Sequence, residues 1–184
     1  MDTIKIVGVA GSLRKMSINR SLLNALKETA PKEVSFEILE MGDLPLFNQD
    51  AEMANYPKEA QALKDKIAAA HGAVIVTPEY NRSIPGVLKN FLDWTSRPYG
   101  KNAWAKKVVG VTGASGGAIG TALAQYHLKQ ILLYLDARVL GQPELYVNNA
   151  GQKINEQGVL TDAATKEHIV KFWNAFLAEV RRGA

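Results

Sequence analysis

Short, nearly uninterrupted apolar runs alternate with longer amphipathic stretches along the whole chain. Ile4–Ala10 is the first such run, and strands are expected again over residues 34–40, 73–77 and 107–112, then briefly at 138–140 with a resumption at 145–147. Helical spacing of apolar positions fills the intervals, over residues 17–29, 56–71, 85–96, 118–135 and 162–182. Five strand–helix units in a row predict an α/β fold with a parallel sheet and helices on both faces. Residues 7–10 and 73–77 are apolar almost throughout, as strands covered on both sides should be. No linker rich in Pro, Gly or Ser and no internal repeat divides the chain, so residues 1–184 read as one domain.

In a doubly wound sheet, ligands bind beyond the carboxyl ends of the strands. Three connections there carry unusual chemistry. The first is Gly11-Ser12-Leu13-Arg14 with Ser17, Ile18 and Asn19, where Gly11 permits a tight turn and hydroxyls, a guanidinium and an amide gather at a helix N-terminus. It matches neither G-x-x-x-x-G-K-[ST] nor G-x-G-x-x-G, which argues against a nucleoside triphosphatase or an ordinary dinucleotide site. It reads as a phosphate loop, against the simpler alternative of Ser17 as a bare helix cap. The second is Pro78-Glu79-Tyr80-Asn81-Arg82-Ser83-Ile84-Pro85, with Ser83 placed to cap the next helix and Tyr80 and Asn81 offering a planar ligand an aromatic edge and an amide. The competing reading is a Pro-bracketed turn with Tyr80 packed on the fold. The third, Gly113-Ala114-Ser115-Gly116-Gly117, has residues small enough for a flat ring to approach the backbone, or is simply a flexible helix entry.

Composition narrows the chemistry. The absence of cysteine excludes disulfides, thiolate metal sites and a Cys nucleophile. The three histidines, His71, His127 and His168, have no partner at ligand spacing, so no metal site is expected. A net charge of +4 is modest, but Arg14, Lys15, Arg20, Arg82, Lys89, Arg97, Lys101, Lys106 and Lys107 are expected to form one basic rim that attracts anionic ligands. Basic residues do not interleave with aromatics along a helix, and no nucleic-acid partner is expected. No apolar run reaches the roughly 20 residues that span a bilayer and no secretory signal is visible, so a cytoplasmic location is expected.

Together the motifs resemble the NADPH-dependent FMN reductase family, especially its chromate and quinone reductase members. The likeness is carried by Gly11-Ser12-Leu13-Arg14 with Ser17 and Asn19, by Thr77-Pro78-Glu79-Tyr80-Asn81 with Ser83 and Leu88-Lys89-Asn90, and by Asp93-Trp94 with Ser96-Arg97-Pro98. Gln125-Tyr126-His127-Leu128 and Pro143-Glu144 extend it. The resemblance implies a flavodoxin-like sheet of five parallel strands in the order 2-1-3-4-5. It implies FMN as cofactor and NADPH or NADH as electron donor. Gly11, Ser12, Arg14, Ser17, Ile18 and Asn19 would then lie at the flavin phosphate, Pro78, Glu79, Tyr80, Asn81 and Ser83 along the ring, and Ser115, Gly116 and Gly117 at its pyrimidine end.

A flavin performs the hydride chemistry itself, which suits a chain without an evident catalytic triad. Donor and acceptor would use one open face in turn, giving ping-pong kinetics, with quinones, free flavins or chromate as oxidants. Arg82, Arg97 and Lys101 are expected to attract the donor's phosphates. Two alternatives remain: a flavodoxin-type carrier that binds FMN without oxidising NADPH, and an NAD(P)-dependent dehydrogenase with Glu40 on a ribose hydroxyl. The helix expected over residues 118–135 is apolar on two faces, one with Ile119, Ala122, Leu123, Tyr126 and Leu133, the other with Ala124, Leu128, Ile131, Leu132 and Leu135. One must meet the sheet, and the one bearing Leu128 is expected to join a dimer or tetramer.

Overall fold

β1 (Ile4–Ala10) lies between β2 (Val34–Leu39) and β3 (Gly72–Val76), and β4 (Val108–Ala114) and β5 (Arg138–Val139) follow outward from β3. All pairs are parallel, so the computed structural model, which describes residues 3–183, has the expected order 2-1-3-4-5. The fifth strand is split: β6 (Leu145–Val147) also pairs with β4, opposite Thr112 to Ala114, while β5 occupies Val108 and Val109.

Alternate residues of the central strands feed two cores. Val74 and Val76 pack with Leu22, Leu23 and Leu26 of α1 (Ile18–Glu28) and with Phe172, Trp173 and Phe176 of α6 (Ala163–Arg182). Ala73 and Ile75 pack on the other side. There they meet Leu63 and Ile67 of α3 (Lys58–Ala69), Phe91 and Leu92 of α4 (Gly86–Thr95), and Leu128 and Leu132 of α5 (Ala122–Tyr134). The two-residue period of a strand separates the cores, and burial on both faces explains why these strands are apolar throughout.

Two expectations need correction. α5 starts at Ala122 and not at 118, because Gly120 adopts a left-handed φ of +69° and breaks the helical path. Leu128 is fully buried against the sheet of its own chain, so its face cannot serve another subunit. The outward face instead shows Tyr126 at 57%, Leu133 at 74% and Tyr134 at 82% exposure.

A short helix, α2 (Gln49–Ala54), was not expected from the pattern. It has no buried residue to generate an amphipathic period, and the Asn48 side chain caps it by accepting from the Asp50 N–H at 2.8 Å. The segment around it is strapped along α4. Asn90 donates to Pro45 O at 2.9 Å and accepts from Phe47 N–H at 2.7 Å, and Trp94 Nε1 donates to Pro45 O at 2.7 Å. Arg97 grips Glu52 through Nε and Nη2 at 2.9 and 2.8 Å, with the Glu52 side chain 6% exposed. Lys64 of α3 donates to Arg97 O, and burial lowers its ammonium pKa.

Candidate functional site

The three connections meet at the carboxyl ends of β1, β3 and β4. Gly11 carries β1 one bond further by donating to Val76 O at 2.8 Å. It does so without a left-handed turn; what it provides is closeness, since a Cβ there would sit 3.1 Å from Leu88 and 3.2 Å from Pro78. Ser12 Oγ accepts from Arg14 N–H at 3.4 Å, and the Arg14 side chain is exposed. Ser17 is the N-cap of α1, its Oγ accepting from Arg20 N–H at 3.3 Å. The N–H groups of Ile18 and Asn19 meet no acceptor among the described residues, and the first turn carries no acidic side chain. The helix start therefore keeps free donors and an uncompensated positive end, the condition for holding an anion.

Asn19 was expected to join that anion site through its side chain. Its carboxamide is already committed: Nδ2 donates to Ala114 O at 2.9 Å and Oδ1 accepts from Ala114 N–H at 2.8 Å, in a buried setting. The side chain thus belongs to the sheet and only the backbone N–H remains free.

Beyond β3 the chain turns back on itself. Tyr80 and Ser83 exchange two backbone hydrogen bonds of 3.0 Å, with Asn81 at φ 51° and Arg82 at φ 65°, the two positive angles of a two-residue hairpin. Tyr80 is 48% exposed on this turn and does not pack into the fold. Glu79 Oε2 accepts from the N–H groups of Leu123 and Ala124 at 3.1 and 3.2 Å, capping α5, whose own N-cap Thr121 makes no side-chain capping bond to the helix backbone. Its other oxygen accepts from Arg82 at 3.0 Å. Ser83 caps nothing: α4 begins after Pro85, and Ser83 Oγ lies 3.1 Å from His127 Nδ1. The hairpin is in this way fastened to α5 at two points.

The third connection is tethered, not loose. Ser115 N–H donates to Val147 O at 3.0 Å, Ala150 N–H to Ser115 O at 3.0 Å, and Asn149 N–H to Gly117 O at 3.1 Å. Ser115 Oγ accepts from Gly117 N–H at 3.3 Å. Nothing stands within 4 Å of where a Gly116 Cβ would be, so the backbone faces open space.

The single basic rim does not form. α4 runs back along the sheet for ten residues, roughly 15 Å at helical rise, so Arg97 and Lys101 stand at the opposite end from the three connections. Lys106 and Lys107 precede β4 and lie at that far end too, Lys106 paired with Asp136 and Lys107 donating to Ala68 O and Ala70 O at the end of α3. Lys89 pairs with Asp93, Arg82 with Glu79, and Arg20 with Glu40. Arg97 is neutralised by Glu52 and stacked 3.8 Å over the Tyr99 ring. Of the nine cations, Arg14, Lys15, Lys101 and Lys107 have no ion-pair partner among the described residues. The Arg20–Glu40 pair also occupies the carboxylate considered for a dehydrogenase ribose. Cavities of about 450 and 470 Å³ flank Arg97 and Lys101, and a smaller one of about 200 Å³ borders Ser17 and Ile18 at the start of α1.

An anion-ready helix start, a protruding aromatic hairpin and an open small-residue loop, set side by side on a doubly wound sheet, make up the candidate site. The chain belongs to the NADPH-dependent FMN reductase family, whose profile matches residues 4–152. It is 45% identical over 178 residues to a 2-hydroxy-1,4-benzoquinone reductase from Burkholderia, covering 97% of each chain. It is 41% identical to a quinone reductase of Pseudomonas putida, over 94% of this chain and 92% of that one. Its fold superposes with a TM-score of 0.90 on FerB, a flavoenzyme NAD(P)H:(acceptor) oxidoreductase from Paracoccus denitrificans, at 38% identity and 98% coverage of each chain. A WrbA-like flavodoxin from Agrobacterium tumefaciens shares the fold at 15% identity and a TM-score of 0.65. The protein is accordingly an NAD(P)H-dependent oxidoreductase that uses FMN.

Proposed function

We propose that the chain passes two electrons from NAD(P)H to quinones, with FMN lying across the ends of β1, β3 and β4. The observation that carries this reading is the unpaired N-terminus of α1, with Ser12 and Arg14 beside it, facing the open loop at Gly116. The phosphate would take the N–H groups of Ile18 and Asn19 with Gly11, Ser12, Arg14 and the Ser17 hydroxyl. The backbone from Pro78 to Asn81 and the Asn81 amide would follow the ring, and Ser115 and Gly117 would meet its polar edge. FMN supplies hydride acceptance and electron donation when bound; the chain binds it, orients it and leaves one face accessible.

In the overall reaction NAD(P)H, a proton and a quinone become NAD(P)⁺ and a quinol. Glu79 is spent on α5 and Arg82, which supports a site that works by placement and not by a carboxylic acid. An open face would use donor and acceptor in turn and discriminate little among quinones, free flavins and chromate. Steady-state oxidation of NADPH with 1,4-benzoquinone by the FMN-loaded protein tests the reading, and parallel double-reciprocal lines are expected. A protein that holds FMN yet leaves NADPH and NADH unoxidised is a carrier, and the proposal fails.

We also propose that a second copy of the chain covers the outward face of α5, where Leu123, Tyr126, Leu133 and Tyr134 are exposed, together with Ile119 in the turn before it. Light scattering at micromolar concentration checks this, and a monomeric mass refutes it.

A further inference from the structure

We infer that Asn19 is a positioning residue for the flavin: its carboxamide stands in for the missing stretch of β3 and fixes the loop 115–117 against the start of α1. The inference rests on the flavin reading above. β3 pairs with β4 up to Val76 opposite Thr112, and Thr77 N–H adds one bond to Thr112 O at 2.9 Å. The chain then leaves the sheet at Pro78, which has no N–H to offer. β4 continues to Ala114, supported on its other side by β6 up to Val147. Toward β3, the N–H and C=O of Ala114 face a gap.

Asn19 fills that gap. With 2% of its surface exposed, it accepts from Ala114 N–H at 2.8 Å and donates to Ala114 O at 2.9 Å, the two bonds a neighbouring strand would have made. A carboxamide carries the same donor and acceptor as a peptide group, which hydroxyls and carboxylates do not match in shape and charge. Asn19 is the second residue of α1, and Ser115 follows Ala114 directly. One side chain therefore sets the separation between the phosphate end and the ring end of the site.

The test titrates the flavin-stripped full chain with FMN and with riboflavin, in wild type and Asn19→Asp. An ionised carboxylate keeps the acceptor but loses the donor and opposes Ala114 O. Both flavins should weaken about tenfold or more at neutral pH, since a loop is displaced, with FMN weakened further by repulsion between the new carboxylate and its phosphate. Riboflavin affinity of Asn19→Asp should then recover as pH falls from about 6 to about 4, because a neutral carboxylic acid again offers one donor and one acceptor. Wild type should stay flat over that range.

The charged groups around the new carboxyl are Arg14, Lys15 and the Glu40-paired Arg20 on its own loop and helix, Glu156 in the segment 154–158 that flanks the start of α1, and Lys153, held by Asn148, beyond the 115–118 loop. β3 and β4 bring none, and β1 brings only Lys5 at its far end. The cations lower the new carboxyl's pKa, whereas its burial and the facing Ala114 O raise it, which keeps the recovery within that range.

A loss confined to FMN would make Asn19 a phosphate ligand and overturn the inference, as would unchanged affinity for both flavins or the absence of acid recovery. Should the variant not fold, amide exchange on the wild-type flavin-free chain decides: Ala114 N–H is expected to exchange as slowly as the core of β4, and exchange as fast as Gly116 overturns the brace. A wild-type chain that binds neither flavin would instead overturn the flavin reading, while the exchange result still judges the brace.

Discussion

Arg14→Ala separates the phosphate end of the proposed site from its ring end. The Arg14 side chain is exposed and has no carboxylate partner among the described residues, and the bond from its backbone N–H to Ser12 Oγ survives truncation. Folding stability should therefore change by no more than about 0.5 kcal/mol. A charge-assisted hydrogen bond to the flavin phosphate is worth about 1.5–3 kcal/mol, or roughly a 10- to 150-fold increase in the FMN dissociation constant. Coulomb's law gives the same scale, about 1–4 kcal/mol for unit charges 4 Å apart between bulk-water screening and an effective dielectric constant near 20. Exposure favours the lower half. Quenching of flavin fluorescence measures the constant directly, with riboflavin as a ligand that lacks the phosphate and should bind wild type and Arg14→Ala alike. The difference for FMN should shrink with added salt, since the Debye length falls from about 10 Å at 0.1 M to about 3 Å at 1 M. Equal losses for both flavins, or no loss of FMN at low salt, would refute a phosphate contact.

Leu128→Ala should destabilise the fold by about 2–5 kcal/mol in urea, since Leu128 is fully buried on the sheet side of α5, whereas Leu133→Glu should leave stability near wild type and lower the mass seen by light scattering. Arg97→Ala strands the Glu52 carboxylate at 6% exposure and should speed proteolysis between residues 46 and 57; an unchanged cleavage rate would show that the pair does not hold the strap. The hydrogen bond from Arg20 holds the Glu40 carboxyl below its usual 4.5, so the pair stabilises the fold above that pH and loses its contribution as pH falls through the folded value. Both groups are largely in water, so the effect is a few tenths of a kcal/mol, and Arg20→Ala should flatten the acid limb of a thermal-melt series by that much.

The layered parallel sheet could be read from the chain because β3 and β4 are buried on both faces and so carry no polar alternation to confuse the pattern, whereas the strand order came only with the family resemblance. α2 could not, because its anchoring depends on Glu52 meeting Arg97 across 45 residues and not on a buried stripe. The site was legible as a place and only partly as a set of roles. Ser17, Asn19 and Glu79 are residue types that serve equally as caps, ligands and sheet partners. Which role each takes follows from where β3 leaves the sheet and from the want of an internal cap on α5, neither of which is local in sequence. The imagined basic rim failed for a similar reason: helices return the chain to the strand-entry end, and cations close in sequence to a site motif arrive far from it.

The split of the fifth strand bears on how copies of this chain can meet. A sheet edge invites growth when it presents a long row of unpaired backbone groups. Here that edge is two pieces of two and three residues, separated by an excursion that contains Pro143. An incoming strand would find no continuous register to follow, so this border of the sheet resists polymerisation. At this border association is left to side-chain surfaces, which can close into a finite assembly.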